Sequence, residues 1–324
     1  MSNVKSLWVS PARFKMGQAK LGFHGTGIGS VKQNVHDGDT LNVSFFKNLG
    51  VRFLGMDTPE ISFQLPGDDA FVALSKPAWA AFFASGQWRE RLNVGADLLA
   101  HLEQRIGDGS QAAANHAAHA EAAQRSLEEA VQAHLDRSGK PKEDFVFFLA
   151  FGHEFLDVYG RLLCYLHANE ENFADKADQE EAKKWSYNER QLASGAALPY
   201  FIWPNVQPFL SVNAFAEDSV RPDRFWKKVN SSKRLQEGRR LVSQARSAGL
   251  GVHSPDNPLI LKAFELRFIS RKKGPDRFVI NLADPGNHRL LAPEQYFLVP
   301  QDEDRLYVPK EYAPIFQMFG WTLG

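Results

Sequence analysis

The chain has 324 residues, of which 44% are hydrophobic and 23% charged, a composition typical of a folded globular protein rather than of a collagen-like or disordered chain. Lysine and arginine together number 38, as do aspartate and glutamate, so any contact with nucleic acid must depend on charge that is clustered locally. The length allows one large domain or two ordinary ones. Cys164 is the single cysteine, which excludes an internal disulfide and a cysteine-based zinc or iron–sulfur site.

The sequence lacks the apolar segments that target or anchor a protein. The first thirty residues mix basic residues with glycine and polar residues, and they contain no apolar run of the roughly 7 to 15 residues found in signal peptides. No later stretch reaches the roughly 18 apolar residues of a membrane span. We therefore expect a cytoplasmic protein with no membrane partner, although a chain from which a signal peptide had been removed would look the same.

Residues 20 to 60 have the pattern of β structure. Three runs in this region alternate β-branched or aromatic residues with polar ones, and glycine and asparagine separate the runs. They cover residues 29–36, 40–46 and 48–55. The pattern predicts short antiparallel strands.

The next region, from about residue 68 to 140, is rich in alanine. Its larger apolar residues recur at helical spacing, at Leu98, Leu99, Leu102 and Ile106. A glycine-rich break follows, so the pattern predicts a helical hairpin inserted between two β regions. His116 and His119 on this hairpin have the spacing of a metal-binding pair, but no third ligand is evident, and we expect them on a solvated helix face.

A second β region lies at residues 144–151 and 161–167, where two strand-like runs flank an Asp-Val-Tyr-Gly turn and predict a hairpin. Residues 222–248 then carry eight basic side chains against two acidic ones. This segment predicts a basic helix, which either is simply solvated or contacts a nucleic-acid backbone.

Beyond residue 255 the pattern becomes strand-like again. The runs that indicate strands are residues 264–269, 277–282 and 295–299. We therefore expect a small β-rich module over residues 255–324.

Two turns rich in carboxylates are the strongest candidates for chemistry. Asp37 and Asp39 lie in one turn, and Asp57 and Glu60 in another, at the ends of predicted neighbouring strands. Carboxylates and backbone carbonyls are hard oxygen ligands that suit Ca²⁺ or Mg²⁺ rather than zinc. Arg52 precedes the second turn, and an arginine beside such a cation can clamp a phosphodiester. The Asp-Gly-Asp-Thr turn alone is a weak signal, because Asp-Gly is an ordinary hairpin turn.

The combination of motifs resembles the staphylococcal nuclease (thermonuclease) family. The matching segments are Val35-His-Asp-Gly-Asp-Thr-Leu41, Val51-Arg-Phe-Leu-Gly-Met-Asp-Thr-Pro-Glu60, Asp157-Val-Tyr-Gly-Arg-Leu162, Tyr187-Asn-Glu-Arg-Gln-Leu-Ala-Ser-Gly195 and Tyr200-Phe-Ile-Trp-Pro-Asn205. The resemblance covers about residues 25–65 and 144–252. Val158 and Ile202 depart from it, since many members carry Lys and a second Tyr at these places.

The resemblance implies an α+β fold in which helices pack on a five-stranded Greek-key barrel of the OB type. It places a nuclease domain at residues 20–254, with the helical insertion at about 68–140. Residues 255–324 have no counterpart in simple members of the family.

The resemblance also implies hydrolysis of DNA or RNA with Ca²⁺, for which Mg²⁺ and Mn²⁺ are alternatives. The side chains of Asp39 and Asp57 and the main-chain carbonyl of Thr58 would hold the cation, with Asp37 behind them. Glu60 would orient or deprotonate the attacking water. The phosphate contacts would come from Arg52, Arg161 and Tyr159, and Tyr200 would stack on a base.

Two other functions remain open from the sequence. One is a catalytically weak or inactive OB-fold module that binds nucleic acid or protein, as in Tudor-type coactivators. The other is an active site gated by the helical insertion or by the C-terminal module and devoted to a special nucleic acid. The joint presence of Asp39, Arg52, Glu60 and Arg161 favours a nuclease over an inactive module. The residues do not distinguish DNA from RNA, or endonucleolytic from exonucleolytic cleavage.

Overall fold

The computed structural model describes residues 7–9, 15–22, 24, 27–44, 48–68, 70–211 and 213–324. In chain order, its strands are β1 (Leu7–Val9), β2 (Lys15–Leu21), β3 (Val35–Asp37), β4 (Thr40–Ser44), β5 (Asn48–Phe53), β6 (Gly55–Asp57), β7 (Ser62–Gln64), β8 (Phe71–Ala73), β9 (Val146–Leu156), β10 (Leu162–Ala168), β11 (Leu198–Ile202), β12 (Arg277–Asn281), β13 (Arg289–Leu290), β14 (Arg305–Pro309) and β15 (Thr322–Leu323).

The helices are α1 (Val31–Asn34), α2 (Pro77–Ala84), α3 (Gln87–Arg91), α4 (Ala96–Ile106), α5 (Ala112–Ser138), α6 (Lys176–Lys184), α7 (Tyr187–Ala193), α8 (Glu217–Val220), α9 (Pro222–Ser231), α10 (Lys233–Ser247), α11 (Ala263–Arg271) and α12 (Ala313–Met318). Within the described ranges, none of these helices combines the length and the apolar content that crossing a bilayer demands.

Five strands close into a barrel. Strand β2 pairs with β9, β9 with β10, β10 with β5, β5 with β4, and β4 again with β2. The pair of β5 and β10 is parallel, and the other pairs are antiparallel. The predicted mixed α+β fold with a five-stranded barrel is therefore confirmed, and it is consistent with an OB-type barrel.

The barrel interior is apolar because alternate residues of each strand point inward. On β4 and β5 the side chains of Leu41, Val43 and Val51 are fully buried, and Leu149 on β9 joins them. Helix α5 adds Leu127 and its neighbours to the same core. Burial of each such side chain contributes about 1.5 to 3 kcal/mol to the free energy of unfolding.

The first predicted strand, residues 29–36, is wrong over most of its length. Residues Val31–Asn34 form the helical turn α1, and only the last two residues of the predicted strand, 35 and 36, lie in strand β3. The Ser30 hydroxyl accepts a hydrogen bond from the Gln33 amide, while the Gln33 side chain accepts one from the Ser30 amide. This capping box was visible in the sequence and favours a helix start over a strand. The second predicted strand, 40–46, is observed as β4 to Ser44, and its last two residues lie outside the described residues.

The helical insertion contains α2, α3, α4 and the long α5 rather than a two-helix hairpin. The prediction that His116 and His119 lie on a solvated face is wrong, because both side chains are buried. The Nε2 atom of His116 accepts a hydrogen bond of 2.9 Å from the Glu60 amide. Its Nδ1 atom must then carry the proton, and it donates to the Leu261 carbonyl at 2.9 Å. One neutral imidazole thus ties α5 to the Glu60 loop and to the C-terminal residues.

The residues beyond 255 are mixed rather than β-rich. The predicted strand at 264–269 is helix α11, and the predicted strand at 295–299 is largely a 3₁₀ helix over Pro293–Leu298. The predicted run at 277–282 does form a strand, β12. Its partner β14 pairs in parallel with β11, and β11 pairs with β6, so the four-stranded sheet has the order β12, β14, β11, β6. The C-terminal residues therefore share a sheet with the strand that ends at Asp57.

We expect His116 to make stability dependent on pH. Burial lowers the pKa of His116 from 6.5 to about 4, so between these values the unfolded chain binds a proton that the folded chain does not. The free energy of unfolding should fall by about 3 kcal/mol as the pH drops through this window. In His116→Gln this component is absent, and urea unfolding from about pH 7 to pH 4 should show a shallower decline.

The control is His36→Gln, at an exposed position of β3, which should keep the wild-type pH profile. Parallel profiles for His116→Gln and the wild type would contradict the assignment.

Candidate functional site

The first acidic turn is packed so tightly that its central residue must be glycine. A Cβ atom on Gly38 would lie 2.6 Å from Cβ of Ala123 on α5 and 2.8 Å from Cγ2 of Thr58. Both distances are shorter than any real contact. Because Gly38 carries no side chain, the turn that holds Asp37 and Asp39 can approach the loop after β6.

Helix α7 fixes this turn relative to the barrel. Nε2 of Gln191 donates hydrogen bonds of 2.9 Å to the carbonyls of Gly38 and Ala123. Nδ2 of Asn188 donates to the carbonyls of Leu54 at 2.9 Å and Cys164 at 3.1 Å. The amide side chains of this helix thus satisfy buried backbone carbonyls of the first acidic turn, of α5, of the link between β5 and β6, and of β10.

The second acidic turn follows β6, where Asp57 lies opposite Leu198 of β11. Asp57 and Thr58 are buried, as is Asp39 in the first turn. The backbone of Glu60 is held by His116, as described above. The two acidic turns predicted from the sequence therefore meet in one buried place.

Arg52 joins the two turns. Its Nη1 atom donates to Oδ1 of Asp39 at 2.8 Å, and its Nη2 atom donates to Oδ1 of Asp57 at 2.7 Å. Arg52 lies on β5 directly opposite Thr40 of β4, so the barrel register brings the guanidinium to both carboxylates.

A second guanidinium, which sequence reasoning missed, enters the same place from α11. Nη1 of Arg267 donates to Oδ1 of Asp57 at 2.9 Å and to Oε1 of Glu60 at 2.8 Å, and Nη2 donates to Oδ2 of Asp57 at 2.6 Å. We call the four carboxylates Asp37, Asp39, Asp57 and Glu60, with the guanidiniums of Arg52 and Arg267, the acid cluster.

Arg267 was missed because Phe264, Leu266 and Phe268 alternate as they would in a strand. Two signals in the sequence favoured a helix instead. Glu265 is the third helical residue, and its carboxylate accepts a hydrogen bond from the Lys262 amide at 2.8 Å, which caps the N-terminus of α11. Three basic residues, 271–273, follow at the helix end, where cations are favourable.

Charge in the acid cluster is unbalanced, because four carboxylates face two guanidiniums. Burial raises the pKa of Asp37 well above its usual value, and the nearby Asp39 and Glu60 raise it further. Burial also raises the pKa of Glu60, although Arg267 and Arg52 oppose this. Burial acts in the same direction on Asp39, but Arg52 and the hydrogen bonds from Asp37 and Thr40 together outweigh it, and the pKa of Asp39 is lowered. The cluster therefore has an excess of negative charge that a cation would relieve.

The residues of the acid cluster fit a hard divalent cation in chemical type. Oδ2 of Asp39 is buried and, among the described residues, receives no hydrogen bond, although Nη1 of Arg52 lies 2.8 Å away. Carboxylate oxygens with spare lone pairs and net negative charge suit Ca²⁺ or Mg²⁺. Within the described ranges, however, no three His, Cys, Asp or Glu side chains are grouped to hold a metal ion. Guanidiniums lie between the carboxylates, so cation binding would require them to shift.

Arg161 and Tyr159 lie in the turn between β9 and β10, outside the acid cluster. The Arg161 side chain covers Gly50, two residues before Arg52 on the neighbouring strand, and its Nε donates to Asp157 at 2.7 Å. Tyr159 is 67% exposed, and the Arg161 guanidinium lies 5.5 Å from the centre of its ring. The structure therefore places these two residues beside the site but in no ion pair with it.

Tyr200 lies on β11 and is covered by the C-terminal residues. Its ring stacks on Phe264 with 5.4 Å between ring centres and 8° between ring planes. Its hydroxyl accepts a hydrogen bond of 2.8 Å from Nη1 of Arg277. One face of the ring predicted to stack on a base is thus already in contact with α11.

The predicted basic helix is the pair α9 and α10, and part of its charge is used internally. Arg239 pairs with Asp304 at 2.5 Å, and Arg246 pairs with Glu303. These contacts hold the C-terminal residues against α10, so the local excess of positive charge is smaller than the sequence suggests.

Comparison of the chain with protein-family models found no model that matches it. A comparison with curated proteins also found no match. The resemblance of the short motifs to the staphylococcal nuclease family therefore stays a prediction.

We expect Arg267→Met to destabilise the fold. It removes one guanidinium from Asp57 and Glu60, which stay buried with less compensating charge, and loss of one partner from a buried ion pair costs about 3 to 5 kcal/mol. Urea unfolding near neutral pH measures the change. Arg221→Met is the control, because the exposed pair of Arg221 with Glu217 should contribute less than about 1 kcal/mol. Equal stabilities of the two variants would show that Arg267 does not support the cluster.

Proposed function

We propose that this protein is a metal-dependent nuclease that hydrolyses phosphodiester bonds of DNA or RNA. The observation that carries the proposal is the convergence of Asp39, Arg52, Asp57 and Glu60, from separate strands and turns, into one largely buried cluster with excess negative charge, in which Arg267 joins Glu60 to Asp57. An inactive module would gain nothing from burying these groups together, since unbalanced buried carboxylates lower stability.

In this proposal the barrel is an OB-type nuclease domain over residues 20–254. The carboxylates of Asp39 and Asp57 and the carbonyl of Thr58 would hold Ca²⁺, Mg²⁺ or Mn²⁺, with Asp37 behind them. When bound, such a cation polarises a phosphoryl oxygen and lowers the pKa of water.

The protein groups supply the rest of the chemistry. Arg52, once a phosphate replaces part of its carboxylate contacts, would donate to the phosphate oxygens where negative charge grows in the transition state. Glu60 would accept a hydrogen bond from the attacking water and take its proton. The raised pKa of Glu60 makes it a stronger base than an ordinary carboxylate. Arg161 would give up its hydrogen bond to Asp157 and donate to the phosphate instead, which adds a second guanidinium. Tyr159 would contact the same phosphate.

A second candidate is a catalytically weak or inactive module that binds nucleic acid or protein. The observation that favours it is the contact of Arg267 with both Asp57 and Glu60, together with the contact of Phe264 with Tyr200. In this candidate the guanidinium of Arg267 permanently takes the place of a cation.

The test of the nuclease proposal is hydrolysis of labelled single-stranded DNA and RNA with Ca²⁺, Mg²⁺ or Mn²⁺ against EDTA. We expect cleavage that requires metal. Arg52→Ala and Arg161→Ala should each lower kcat about 10²- to 10³-fold, because each removes charge stabilisation in the transition state. Arg125→Ala, which removes an exposed arginine of α5, should cleave at the wild-type rate.

Wild-type rates in both Arg52→Ala and Arg161→Ala would refute the assignment of these residues. Binding of nucleic acid without cleavage under every metal would support the inactive module.

Calcium affinity tests the ligand assignment separately from activity. We expect Asp39→Asn to bind Ca²⁺ at least about tenfold more weakly in calorimetric titration, because a negatively charged oxygen ligand is lost. Asp97→Asn, at an exposed position of α4, should titrate as the wild type does. An unchanged titration of Asp39→Asn would mean that Asp39 is not a ligand.

A further inference from the structure

A cavity lies beside the acid cluster, between α11 and the start of β12. Its volume is about 190 Å³, several times the roughly 30 Å³ that one water molecule takes up in the liquid. This is enough room for a phosphate group. Its charged lining residues are Arg267, Arg271, Lys273, Arg277 and Asp276, and the rings of Tyr200 and Phe264 complete the part that matters here.

The lining of this cavity has an excess of positive charge. Arg267 is neutralised by Asp57 and Glu60. Arg271 and Lys273 are exposed and, among the described residues, form no ion pair with a carboxylate; Arg271 contacts the ring of Phe63 and the hydroxyl of Tyr159 instead. These uncompensated charges favour an anionic ligand.

Arg277 is a further cation of the lining, and its charge is only loosely balanced. Its Nη1 donates to Tyr200, and it lies 3.5 Å from Asp276, a loose ion pair. Its Nε atom is buried and, among the described residues, has no hydrogen-bond acceptor. An unpaired buried donor costs about 1 to 3 kcal/mol, and the Arg277 side chain would have to shift for this atom to reach an anion in the cavity.

The position of the cavity indicates which anion it takes. Arg267 forms both a wall of the cavity and a contact of the acid cluster. Arg271 donates to Tyr159 at 3.3 Å, and Arg277 donates to Tyr200. The cavity therefore adjoins the acid cluster and two residues predicted to contact a nucleic-acid strand, Tyr159 and Tyr200, and a strand that reached the acid cluster would pass close to it.

We propose that this cavity is a second phosphate-binding site, which holds a phosphate of the nucleic-acid strand next to the phosphate at the acid cluster. The inference rests on the proposed function for its ligand, a nucleic-acid strand, but it requires only binding and not cleavage. Arg271, Lys273 and Arg277 are the residues that bind this phosphate. The C-terminal residues thereby become part of the substrate site.

The test is the salt dependence of strand binding, measured by fluorescence anisotropy with a labelled oligothymidylate of about eight nucleotides. EDTA prevents metal-dependent hydrolysis, and the salt concentration runs from about 50 to 200 mM. We expect Lys273→Gln and Arg277→Gln each to weaken binding about tenfold and to reduce the slope of log affinity against log salt by about 0.7, the value for one lost phosphate contact. Lys310→Gln, which removes an exposed lysine outside the cavity, should leave both unchanged.

Inorganic phosphate serves as the second probe and distinguishes the source of the anion. We expect it to compete with the oligothymidylate only weakly. Unchanged affinity and slope in both cavity variants would overturn the proposal. So would variants with which inorganic phosphate no longer competes but which still bind the strand as the wild type does. If the variants weaken strand binding while the wild type cleaves nothing with any metal, the phosphate site stands and the nuclease proposal fails. If the wild type cleaves and the slopes are unchanged in the variants, the nuclease proposal stands and the phosphate site fails.

Discussion

The structure depends on the mutual repulsion of buried carboxylates and on the guanidiniums that offset it. Asp39, Asp57 and Glu60 cannot be buried together as anions without compensation, since the desolvation of each costs several kcal/mol. Arg52 supplies that compensation from the barrel, and Arg267 supplies it from α11. The barrel and the C-terminal residues are arranged so that both guanidiniums reach Asp57.

Each part of the chain contributes one fixed contact to this arrangement. Helix α5 holds the Glu60 loop through His116, and it lies so close to the first acidic turn that only glycine fits at position 38. Helix α7 holds the first acidic turn through Gln191. The sheet of β6, β11, β14 and β12 links the strand that ends at Asp57 to the C-terminal strands. His116, Gly38 and Gln191 therefore all help to fix the backbone of the turns that carry the acidic residues.

What the sequence predicted well was local. Alternating runs predicted short strands, the resemblance of the motifs predicted the five-stranded barrel, and the convergence of Asp39 with Asp57 followed from turns at the ends of neighbouring strands. Interactions that join distant segments were not predictable in this way. The contact of Arg267 with Asp57 joins residues 210 positions apart, and the α11 segment has a pattern that fits both helix and strand. His116 was placed in solvent because the partners that bury it come from other elements.

The order of strands in the mixed sheet has a consequence for the synthesis of the protein. Strand β6 emerges from the ribosome early, yet its sheet is completed by β14, and the second guanidinium of the acid cluster arrives only with α11. Contacts of such long sequence separation form late, because the intervening chain must first be ordered. When a nascent chain has emerged only as far as α10, the carboxylates of Asp57 and Glu60 still lack Arg267. Completion of the acid cluster is therefore one of the last events in the maturation of this chain, and it coincides with docking of the C-terminal residues.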